Sequence, residues 1–530
     1  MSDEIKTDIE QPEAAGSDEA PVSLEALEAA PKESKLASLQ GMLAGRGWLG
    51  ALLVALLIIA FLFLPPVSLG TRLLGAGHYT TLDAQTPRIT HPDGLAVIVG
   101  EQEGEKLRVK LGSVPRADFE EAGETLPDEA KAAQQALPDN LVPKSPFFTI
   151  DVRGKSLGPA TLVLTIPNEA EPWETLDVYG WDGTKWSWLP GTLDRETETL
   201  VVAVEQLPKA VMVMQTKAVP QVIAAEGEDL PPAEFGTSIS QVDLVGMKIG
   251  TLGNLNGDPS LLPPGSVSTN PVLAPTVRNW IPGHPPNFGL VEDMLGIAAD
   301  RAAHITALVD LAKNGDYPGL VLDYRALLPE DREAYAAFVA DLANALHAEG
   351  KWLAVTVEAP QIQADGTWND GAYDLYAIGK AADQVQMVMP LDPQAYTPGG
   401  QVDQMLVWAT SKVNRAKLFP IFSTLSTDGK TTYTLDDVFR PLAEIAAVTP
   451  MSESVAPGTK LAFQVALDAA LDSDATTGAE RITYGDVAYW LGTPEWLRYR
   501  LDLTARYHLG GVVLRDLFAD GNFPGIAQAL

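Results

Sequence analysis

Across 530 residues there is no cysteine. That removes disulfides, thiolate nucleophiles and cysteine-based metal sites together. Histidine is scarce, six in all and scattered, with no H-x-x-x-H or H-E-x-x-H spacing. Neither a metal site nor an organic cofactor is implied. Basic residues are in deficit, 37 Lys and Arg against 70 Asp and Glu, for a formal net charge of −33. A polyanion gains nothing from phosphate counterion release, so nucleic acid is excluded as a partner. The acidity reads as a solvated surface. There is also no internal repeat, no P-loop and no G-x-G-x-x-G, so nothing signals a nucleotide phosphate.

What is present begins with one long apolar run, Trp48 to Leu64, ended by Pro65 and Pro66. At ~1.5 Å per residue it spans roughly 26 Å, enough to cross a bilayer core. A cleaved signal peptide is the rival reading, with Ser68 and Gly70 as small residues before a cut. The run is long for such a peptide, and the tail before it longer still. Lys32, Lys35 and Arg46 precede the run and Arg72 follows it. The sequence therefore predicts a single transmembrane helix over 46–66 in the plasma membrane, with a cytoplasmic N-terminus and extracytoplasmic C-terminal domains. Residues 1–45, rich in Ala, Pro, Ser and Glu, predict a disordered acidic tail.

From 80 to 215 the pattern is all-β: short runs such as Leu95–Val99, Phe147–Val152 and Thr161–Ile166 between Gly, Pro and Asp turns. The clearest unit is a hairpin, Leu176–Trp181 and Trp186–Leu189, around Asp182-Gly183. The strands Thr199–Val204 and Ala210–Met214 complete a sandwich-like domain. An Ala/Glu-rich insert, Phe119–Leu137, predicts a helix across one face. Trp173, Trp181, Trp186 and Trp188 admit two readings: stacking against sugar rings, or filling the core and covering its edge. Residues 216–236 lose periodicity and read as a linker.

Beyond it, from 237 to 530, strands alternate with amphipathic helices. Eight candidate strands can be counted: Val242–Ile249, Val272–Asn279, Gly319–Tyr324, Trp352–Glu358, Gln384–Met389, Lys417–Phe422, Leu461–Val465 and Gly511–Arg515. Between two of them, 330–349 predicts a helix with Tyr335, Phe338, Val339, Leu342 and Leu346 on one face. Eight strands in this length predict an α/β fold, a (β/α)8 TIM barrel; a doubly wound open sheet is the alternative. Catalytic groups in such barrels project from the C-terminal strand ends. Those ends hold Asn279, Trp280, Asp323, Tyr324, Arg325, Glu358, Met389, Asp392, Gln464, Arg515 and Asp516, a polar ring of mixed charge.

Tyr317–Arg325 resembles the signature strand of glycoside hydrolase family 18, D-x-x-D-x-D-x-E, whose motif positions here hold Pro318, Val321, Asp323 and Arg325. The resemblance continues in the D-R-E-x-Y-x-x-F helix from Asp331 to His347. It continues again in the strand before Asp392, where the family has M-x-Y-D, and in Leu509–Arg515, where it has L-G-G-[VI]-x-[IL]-W. It is closest to the wall- and spore-associated branch. It implies that Arg325 stands at the proton donor's position, Leu391 at that of the M-x-Y-D tyrosine and Arg515 at that of the floor tryptophan. Asp323 matches the aspartate that holds the acetamido group. Arginine keeps its proton at physiological pH and cannot act as a general acid.

The resemblance therefore implies a pseudoenzyme, a family-18-like barrel that binds a wall glycan (peptidoglycan or chitin-like) or an envelope protein. An active glycosidase on N-acetylglucosamine polymers, using Asp323, Glu358 and Asp392, is the alternative. In the opposing reading Glu358 and Asp392 merely neutralise Arg325 and Arg515. A structural envelope protein is the third possibility.

Overall fold

The computed structural model describes residues 79–530, apart from 84, 101–106, 122–125, 155–158, 218–221 and 446–468. Two antiparallel sheets come first. One runs through Leu107–Val114, Phe147–Arg153, Ala210–Thr216 and the hairpin Leu176–Trp181/Trp186–Leu189; the other is built on Leu95–Val99, Ala160–Thr165 and Thr199–Val204. Alternation along these strands sends Leu95, Val97, Leu162, Leu164, Val109 and Val213 into one shared core. The expected insert is two short helices, Arg116–Glu120 and Asp128–Gln135, laid on the outer face of the first sheet.

Eight parallel strands then close on themselves. In chain order they are β1 Val222–Gly227, β2 Gln241–Ile249, β3 Val272–Arg278, β4 Gly319–Asp323, β5 Trp352–Val357, β6 Gln384–Val388, β7 Leu418–Ser423 and β8 Gly511–Arg515. β1 pairs with both β2 and β8, which completes the barrel. The strands read as continuous apolar runs because both faces of each are covered, by helices outside and side chains within.

Two expectations are corrected here. The barrel's first strand lies inside 216–236, taken from the sequence as a linker: Val222-Ile223-Ala224-Ala225 is too short a run to stand out between prolines and acids. With it the barrel closes without Leu461–Val465, and that segment, with Gln464, lies outside the described residues. Plasma-membrane localisation is corrected as well. Among the described residues no helix is long and apolar enough to cross a membrane. The Trp48–Leu64 run on which that expectation rested lies outside them.

Alternation within β4 decides which of its side chains reach the barrel mouth. Leu320, Leu322 and Tyr324 face the helical layer, including the helix Arg332–Ala348 with its buried Tyr335, Phe338, Val339, Leu342 and Leu346. Val321 and Asp323 face the barrel axis, with Arg325 next in the same series. Gly319 opens this strand beside Trp352 of β5 because a Cβ there would run into the indole. A polar layer crosses the barrel interior: Gln241 donates to Asp243 at 2.7 Å, Gln386 to Asp243 at 2.9 Å, and Thr356 to Gln386 at 3.3 Å. Between β7 and the helix Pro494–Arg506 the chain adds a five-stranded antiparallel sheet with its own small core of Val438, Ile482, Tyr484 and Leu491.

Candidate active site at the barrel mouth

At the C-terminal ends of the strands, three guanidiniums and two carboxylates form a continuous chain of ion pairs. Arg325 is held by Asp323 through two hydrogen bonds, Nε to Oδ1 at 2.8 Å and Nη2 to Oδ2 at 2.9 Å. Arg278 lies between both acids, 3.3 Å from Asp323 and 2.7 Å from Glu226. Arg515 donates from Nε to Glu226 at 3.0 Å. Burial alone would raise the Glu226 carboxyl. Arg278, Arg515 and Arg325 overcome that and hold it well below the usual range. The five charges thus fix one another in a site where unpaired charges would be very costly.

Trp280 stands among the arginines. The guanidinium carbons of Arg325, Arg278 and Arg515 lie 3.8, 4.4 and 5.6 Å from its ring centroid, all within cation–π reach. The position of Arg325 is set from behind. Asn279 accepts from the Arg325 N–H at 2.8 Å and donates to its carbonyl at 2.9 Å. Together these groups border a cavity of about 830 Å³, lined also by Met389, Leu391, Ser423 and Asp516. Ser423 donates to Asp516 at 2.7 Å, and burial pushes the Asp516 carboxyl up.

The structure gathers Trp280, Arg325, Met389, Arg515 and Asp516 on this cavity, with Asp323 buried beneath and Asn279 behind. It does not gather the others. Tyr324 points into the outer core, where its hydroxyl lies 2.6 Å from Nε2 of His304. The Nδ1 of His304 donates to the Gly253 carbonyl, so Nε2 is the acceptor, and burial keeps the ring neutral with a pKa lowered to about 4. Glu358 is exposed and accepts from the Ala326 N–H at 3.0 Å. Asp392 caps a turn through the Gln394 N–H and lines a separate cavity with Pro360 and Gln401.

Neither reading of Glu358 and Asp392 matches these positions. They do not neutralise the arginines; Asp323 and Glu226 do. Glu226 was missed because its strand was read as linker, although the parity of Ala224 and Glu226 points both inward. Arg278 was passed over beside Asn279, yet it shares the inward parity of Ala274 and Thr276.

No protein-family model matches the chain. Over 83 residues, 15% of this chain, it is 39% identical to the uncharacterized glycosylase YvbX of Bacillus subtilis, and the match spans only 24% of that relative. Among solved structures, a chitinase from Chromobacterium violaceum superposes with a TM-score of 0.44 at 19% identity, covering 58% of this chain and 98% of that one. The spore cortex-lytic enzyme SleL of Bacillus megaterium gives 0.43 at 16% identity, covering 62% and 77%. The chain resembles glycoside hydrolase family 18. Arg325, which the sequence resemblance sets at the proton donor's position, is the guanidinium packed on Trp280.

Proposed function

We infer that this chain is a family-18-like barrel that binds glycan at its mouth, peptidoglycan or a chitin-like polymer, without hydrolysing it. One observation carries the reading. Arg325, where the sequence resemblance sets the proton donor, is forked onto Asp323 and stacked on Trp280. A guanidinium in that setting cannot release a proton to a glycosidic oxygen. Asp323, held by Arg325 on both oxygens and its charge shared with Arg278, is already committed within the chain. Leu391 and Arg515 remove two further parts that the resemblance assigns to catalysis.

A second reading keeps hydrolysis and moves the acid to Asp516. It is favoured by that residue's place on the cavity and by burial raising its carboxyl, the direction a general acid requires. One experiment separates the two. The full chain is incubated with chitin oligosaccharides and with peptidoglycan, bound sugar is measured by retention, and products by mass spectrometry. Retention without products supports the binder. Products that vanish in Asp516→Asn establish the hydrolase, and absence of both retention and products overturns both readings.

A further inference from the structure

Resting on the reading that glycan occupies the barrel mouth, we propose that the sugar bound there carries a carboxylate. Hydrogen-bond inventory decides the class. Each guanidinium offers five N–H donors and no acceptor. Three of them meet at this mouth, and Glu226 and Asp323 absorb only part of the supply. Nε and Nη2 of Arg278, Nη2 of Arg515 and Nε1 of Trp280 are buried without a hydrogen-bond partner. The arginine atoms among them sit in ion-pair contacts that lack the alignment of a hydrogen bond. Arg278 itself is 7% exposed. Among the described residues Nη1 of Arg278, Arg325 and Arg515 enters no hydrogen bond, so all three guanidiniums on the cavity keep donor capacity for an acceptor from outside the chain.

In the ion-pair cluster three arginines face two carboxylates, while Glu228, Asp229, Asp516 and Lys430 line the rest of the same cavity. Trp280 is not a free platform for a neutral sugar, since the Arg325 guanidinium lies 3.8 Å from its ring centroid. A neutral pyranose brings hydroxyls, each needing an acceptor for its own proton. A carboxylate brings acceptor sites alone, in the planar geometry a guanidinium fork matches. The lactyl ether of N-acetylmuramic acid and the C6 group of a hexuronate share that chemistry.

Titration calorimetry on the full chain tests this with four probes: a chitin tetrasaccharide, a muramic-acid-containing tetrasaccharide, a glucuronate-containing tetrasaccharide and inorganic phosphate. At least one acidic sugar is expected to bind about tenfold or more tighter than the neutral one. Its affinity should weaken between about 0.05 and about 0.3 M salt. The tighter of the two acidic sugars names the source. Arg325→Lys keeps the charge but loses the fork, and is expected to cost about tenfold for that sugar while the chain still folds, as its circular dichroism reads. Arg278→Lys supplies the same readout should Arg325→Lys fail to fold. Equal affinity for neutral and acidic sugars overturns the carboxylate proposal while leaving glycan binding standing. Failure of every sugar to bind overturns both. Phosphate binding as tightly as the acidic sugar would mean an adventitious anion only, and would also overturn the proposal.

Discussion

Arg415 and Asp177 meet as a buried pair although 238 positions separate them, with Nε 2.6 Å from Oδ2 and Nη2 3.1 Å from Oδ1. Asp177 belongs to the hairpin of the sandwich. Arg415 sits in the turn that leads into β7, where it also donates to the Tyr507 carbonyl at 2.8 Å. The pair ties sandwich to barrel within one unit, Ala76–Leu530. Asp177→Ala strands the guanidinium and is expected to cost about 3–5 kcal/mol, far more than an exposed pair. Urea unfolding of the full chain measures it; a loss below about 1 kcal/mol would show that the junction does not depend on this contact.

Two buried carboxylates of the barrel carry opposite pH dependence. Glu226 is held low, so its proton is bound more readily in the unfolded chain; its contribution is present at neutral pH and lost as pH falls below the unfolded value of about 4.3. Glu226→Gln should destabilise by about 3–5 kcal/mol at pH 7, with a gap that narrows toward pH ~3. Asp243 is the reverse: burial, against the hydrogen bonds from Gln241 and Gln386, pushes it up to about 7. The folded chain then binds the extra proton, and stability falls as pH rises from about 4 to 7. Asp243→Asn should be stabilising at pH ~8 and near neutral at pH ~4, since the facing glutamine amides can turn to suit it. Melting curves across pH check both signs, and parallel curves for native and variant chains would refute the assignment.

Two tryptophans of the sandwich, Trp181 and Trp186, are held from the helix above them. Trp186 donates to the Ala133 carbonyl at 2.8 Å and Trp181 to Glu129 at 2.7 Å, so both indoles are engaged by the helix lying over them. Trp186→Ala is expected to cost about 2–4 kcal/mol and to leave glycan retention unchanged. A loss of retention at native stability would assign the sandwich a sugar site after all.

Periodicity and turn chemistry made much of this architecture legible. The Asp182-Gly183 hairpin and the helix from Arg332 to Ala348 stand close to where their patterns place them. What failed did so for physical reasons. A six-residue strand flanked by prolines and acids carries too little periodicity to be told from a linker, so Glu226 was lost with β1. Side-chain parity was available but not used: Tyr324, between Asp323 and Arg325, had to face the other way. Ion pairing across the barrel, from Arg515 to Glu226, depends on closure and leaves no trace in local sequence.

The sharpest prediction returns an acid to β4. In Arg325→Glu the new carboxyl would stand beside Asp323, and like charges raise a pKa in the direction a proton donor needs. Turnover should nevertheless stay at background. Removing Arg325 takes away the partner that holds Asp323 by two hydrogen bonds, and Arg278 is then shared between Asp323 and Glu226 with no other guanidinium beside Asp323. Leu391 still offers no hydrogen bond, and Arg515 stays fixed on Glu226 where the resemblance places a sugar platform. Adding Leu391→Tyr and Arg515→Trp to Arg325→Glu should lift hydrolysis above the single variant. A general acid contributes about 10²–10⁴ only when the substrate is positioned against it. Release of reducing ends from a chitin tetrasaccharide reads the outcome. Turnover in Arg325→Glu alone, matching the triple variant, would mean that a single side chain separates this barrel from an enzyme.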